Sequence, residues 1–67
     1  MIKLDAGEYY VIYKDVYIHL VGGGCWEATI WEGYTDGEFG VFVADFLEDT
    51  RQDALQAAKN FLIDNEL

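Results

Sequence analysis

The segment from Glu8 to Val21, EYYVIYKDVYIHLV, constrains this chain more than any other. Tyrosine and β-branched residues favour extended backbone, and the only polar interruption within the run is Lys14-Asp15. Two strands joined by a tight turn follow. With a two-residue loop, Tyr13 pairs with Val16. Tyr9, Val11, Tyr13, Val16, Ile18 and Leu20 then share one face, because side chains alternate along a strand. Glu8, Tyr10, Ile12, Tyr17, His19 and Val21 take the other. Lys-Asp is not the favoured Asn-Gly type of turn, so a longer loop with shifted register is the competing expectation.

Gly22-Gly23-Gly24 breaks the run, and Cys25 to Glu32 (CWEATIWE) resumes it as a third strand. Trp26, Ala28 and Ile30 lie on one side of it, and Glu27, Thr29 and Trp31 on the other. The stretch Gly33-Tyr34-Thr35-Asp36-Gly37 reads as a loop on its Asp-Gly turn signal. Phe39 to Leu47 (FGVFVADFL) is apolar on both parities, as expected of a central or doubly covered strand. Asp49-Thr50 then opens a helix, with Thr50 as N-cap and Asp53 three residues on in a variant of the capping box. Ala54, Leu55, Ala58, Phe61 and Leu62 recur at helical spacing, and the helix is expected to run to about Asp64. The expected fold class is α+β: a four-stranded antiparallel meander with one C-terminal helix packed on one face, forming a single domain over residues 1–67.

Size and charge limit what such a unit can do. At 7.6 kDa the folded chain exposes on the order of 4,300 Å² and has room for only a small core. One cysteine, Cys25, closes no intramolecular disulfide, and with one histidine, His19, it makes no zinc site alone. Neither cofactor nor metal is expected. Thirteen acids against four bases leave a net charge of −9, which repels nucleic acid and anionic membranes. The N-terminus lacks the basic stretch and apolar run of a secretory signal, and no apolar run of about 18 residues occurs. With a lone thiol, the expectation is a cytoplasmic protein.

Catalysis finds little support. The sequence contains no serine, and Cys25 and His19 lie on adjacent expected strands with no evident third member. A cysteine between a triple glycine and a tryptophan reads better as small core filling. Glu48-Asp49, or Glu32 with Asp36 and Glu38, match no calcium-loop spacing. The glycines precede a strand rather than a helix N-terminus and have no base beside them, so they read as a turn or bulge rather than a phosphate cradle.

Two surface features carry more information. One helix is about 10 Å across and a four-stranded sheet about 19 Å wide, so one face at most is covered. The face left over carries Tyr10, Ile12, Tyr17, His19, Val21, Thr29 and Trp31, with Glu8 and Glu27 at its margins. Tyrosine and tryptophan rimmed by charge suit an interface. Self-association through Tyr10, Ile12, Tyr17 and His19 would give a homodimer. The second feature is an acid cluster: Glu27, Glu32, Asp36, Glu38, Asp45, Glu48, Asp49 and Asp53 are interrupted by a single base, Arg51. If the third and fourth strands are neighbours, these acids fall along one end and edge of the sheet, beside Trp31 and Tyr34. Glu27, Trp31, Glu32, Tyr34, Asp36, Glu38, Asp45, Glu48 and Asp49 are the expected contacts for a basic partner. A surface that merely keeps a sticky small protein soluble and blunts a strand edge weighs equally.

In size, in its charge of −9, in lacking proline and serine, and in its sheet-then-helix order ending DTRQDALQAAKNFL, the chain resembles the small acidic proteins encoded by bacteriophages and prophages. Some of these are anti-CRISPR inhibitors, which occupy the nucleic-acid groove of a defence enzyme or block assembly of its complex. The resemblance implies a non-enzymatic inhibitor in the host cytoplasm, a DNA mimic or steric block, whose partner is a CRISPR effector or another nuclease. Asp49 to Leu62 is also similar to the helix of HicB-type antitoxins, where an Asp-Thr cap precedes an Ala-rich helix. Such antitoxins normally add a DNA-binding segment. No residues are left for one here, which leaves neutralisation of a basic toxin as that resemblance's implication.

Overall fold

The computed structural model describes residues 2–14, 16–33 and 40–65. Five strands, β1 (Ile2–Asp5), β2 (Glu8–Tyr13), β3 (Val16–Gly22), β4 (Trp26–Glu32) and β5 (Val41–Glu48), precede one helix, α1 (Arg51–Asp64). All neighbouring strands are antiparallel, in the order β1-β2-β3-β4-β5. The α+β meander with its single terminal helix therefore stands as the sequence predicts, with one strand added at its front. Ile2 pairs with Tyr10 and Lys3 with Tyr9, and Gly7, at φ 72, makes the turn back into β2. The accessible surface of 4309 Å² is that of a compact chain of this mass.

The hairpin register is the one that alternation demands: Tyr13 pairs with Val16, and the ladder continues to Glu8 and Val21. Lys14 takes φ 52, the left-handed conformation that a primed two-residue turn requires of its first central residue. Ile18 pairs with Ile30 and Leu20 with Ala28, so the inward residues of β3 and β4 form one continuous apolar floor. On it lies α1, whose Ala54, Ala58 and Leu62 are fully buried at four-residue spacing. Two alanines in that stripe let the helix backbone sit close to the sheet, while Leu62 fills the wider gap. Thr50 caps the helix by accepting the Asp53 amide at 3.1 Å, and Asn65 closes it by donating from its amide to the Phe61 carbonyl at 3.0 Å.

Three expectations are corrected. The apolar stretch ending at Leu47 is not a central strand but the edge strand β5, with Val41, Phe42 and Leu47 exposed. A register shift between Ile30 and Trp31 explains why it is apolar on both parities. Ala44 pairs with Ile30 but Phe42 with Trp31, so Val43 is the extra residue. Val43 packs against the core, and Phe42 is turned to the opposite face. Cys25 is exposed rather than core filling. The triple glycine is only partly a flexible turn. A Cβ on Gly22 would clash with the Trp26 ring, whereas Gly23 and Gly24 have nothing within 4 Å.

Gly22 is therefore fixed by contact and Gly24 is not. Gly22→Ala is expected to lower stability by about 1–3 kcal/mol, the usual cost of overpacking. Gly24→Ala should change it by no more than about 0.5 kcal/mol. Urea denaturation of the two variants checks the contrast.

Candidate interaction face

The pleat divides the molecule into two unlike sides. The helix side holds the core together with its aromatic rim, and that rim is capped by cations. The Arg51 guanidinium lies 4.3 Å from the Tyr9 ring centroid and 5.9 Å from that of Trp26. Lys59 and Lys14 approach Tyr13 at 5.2 and 6.0 Å. The fourth base, Lys3, pairs with Tyr9 and so shares its parity. Every lysine and arginine of the chain is thus placed on, or at the rim of, the helix side.

No described helix or strand lies over the other face. The ladders arrange it in three rows across β2, β3, β4 and β5. Glu8, Val21, Glu27 and Leu47 form the first row, and Tyr10, His19, Thr29 and Asp45 the second. Ile12, Tyr17, Trp31 and Phe42 form the third, which carries no charge. Neighbours within a row stand about 5 Å apart, and successive rows about 7 Å. Tyr10 stacks on Tyr17 with ring centroids 4.7 Å apart, and Trp31 meets Phe42 edge-on at 5.8 Å. Ile12 and Leu47 are about two-thirds exposed, at 65% and 66%, and Phe42 is half exposed at 52%. The exposure is not continuous: buried Tyr17 and half-buried Trp31 separate Ile12 from Phe42 along their row, and Asp45 lies between Phe42 and Leu47 along β5.

Of the self-association residues, Tyr10, Ile12, Tyr17 and His19 all lie on this face, as the alternation predicts. Tyr17 is nevertheless buried, at 4% exposure, so it supports the surface rather than forming its outermost layer. His19 Nε2 lies 3.4 Å from Glu8 Oε1. Alternation in the first hairpin could not reveal Phe42 and Leu47, whose placement depends on how β5 pairs.

The acids do not gather at one end of the sheet. Glu27 and Asp45 are exposed on the face opposite the helix, on adjacent strands and rows. Glu32 and Glu48 take the opposite parity, opposite Val41 and Trp26 respectively, at the two ends of the β4–β5 ladder. Six residues of strand separate those ends, about 20 Å. Asp49 is exposed just before the helix. Trp31 is half-buried beside Phe42. Tyr34, Asp36 and Glu38, with the expected Asp-Gly turn, lie outside the described residues. The structure therefore brings Glu27, Asp45 and Trp31 onto one face and leaves Glu32, Glu48 and Asp49 off it.

The described residues bring no thiol–imidazole pair together. Cys25 precedes Trp26, which pairs with Gly22, three residues from His19. Thiol and imidazole are thus separated by roughly 10 Å of strand, far beyond hydrogen-bond reach. Among the described residues no group of three or more His, Cys, Asp or Glu side chains is placed to hold a metal ion, and no helix is long and apolar enough to cross a membrane. Comparison with protein-family models, with curated proteins and with solved structures returned no match to this chain.

The two faces should respond differently to mutation. Ile18→Ala, on the covered face, is expected to cost about 2–5 kcal/mol. Leu47→Ser, on the uncovered one, should stay within about 0.5 kcal/mol. Thermal melts of both variants test whether the uncovered face is dispensable for folding.

Proposed function

We propose that this chain is a non-enzymatic acidic protein that binds and inhibits a basic, nucleic-acid-handling protein, in the manner of phage anti-CRISPR inhibitors acting in the host cytoplasm. The observation that supports this most is the separation of charge. All four bases belong to the helix side, while Glu8, Glu27 and Asp45 stand on the face over which no described helix or strand lies. A face of that character attracts proteins whose own surfaces cluster Lys and Arg, as those of nucleases and CRISPR effectors do. It repels the nucleic acid those proteins bind. Glu32, Glu48 and Asp49 extend the negative field around the β5 edge, and in this reading Trp31 supports the contact through Phe42.

A competing reading, a homodimer or assembly module built through the same face, is favoured by the exposure of Ile12, Phe42 and Leu47. Its cost is electrostatic, because stacked copies bring their acids together.

Binding to purified CRISPR effectors and other basic nucleases should be measured at low and high ionic strength. Complexes should weaken by at least about tenfold at high salt, since exposed charges are screened within roughly 10 Å at 0.1 M. Glu27→Lys with Asp45→Lys should weaken them by a similar factor and slow association. Salt-independent binding, or an unchanged complex with the charge-reversed variant, removes the proposal. Sedimentation of the free protein separates the dimer, which Ile12→Ser would dissociate.

A further inference from the structure

We draw no further inference here: the strongest candidate, the exposed apolar margin of the sheet at Val41, Phe42 and Leu47 of the edge strand β5, carries nothing because no feature of the structure shows what covers it.

Discussion

A sheet has two faces, and this chain contains one described helix with which to cover them. Everything else in the molecule follows from which face that helix takes. Ala54, Ala58 and Leu62 form the buried stripe of the helix, and it packs on the side of the sheet that carries Ile18, Leu20, Ala28 and Ile30. The opposite side, with bulky rings at Tyr10, Tyr17, Trp31 and Phe42, has no such floor. The core is consequently small and nearly all aliphatic. The aromatic rings on the helix side sit around it as a collar, where they meet Arg51 and Lys59.

Charge reinforces that division. A cation placed over a ring at the edge of the core keeps its water-facing side solvated while its stem covers apolar surface. Three of the four bases serve in this way on the helix side. Their use there leaves Glu8, Glu27 and Asp45 on the other face, with His19 as the only basic side chain among them. A net charge of −9 spread evenly would mainly keep the protein in solution. What is one-sided is the placement of the four bases, and the proposed partner approaches from the side that lacks them.

How much of this could be read from the chain differs from segment to segment. The first hairpin was legible because a period of two, interrupted once, permits a single register that keeps Ile18 and Leu20 together. The helix was legible because Thr50, Asp53 and the alanine spacing agree. The opening strand was not recognised: four residues are too few to establish a period, and Ile2 to Asp5 acquires its identity only by pairing with Tyr9 and Tyr10. The final strand misled for a different reason. Alternation assumes an unbroken ladder, and one inserted residue at Val43 reverses the parity of whatever precedes it. The acids from Glu27 to Asp49 were correctly seen to be close in sequence, but strand direction sends Glu32 and Glu48 to opposite ends. Cys25 offered no local signal to separate a small buried residue from an exposed one.

The irregularity in β5 has one more consequence. An open strand at the margin of a sheet is a template on which further chains can add, and a molecule with this much oil on its surface is a natural candidate for runaway polymerisation. The kink at Val43 spoils the straight line of amides and carbonyls that an incoming strand would need. Addition at the β5 margin is thereby discouraged, and at β1, the opposite margin, the ladder is again irregular between Lys3 and Asp5. A sticky molecule is tolerable in solution when its rims resist extension.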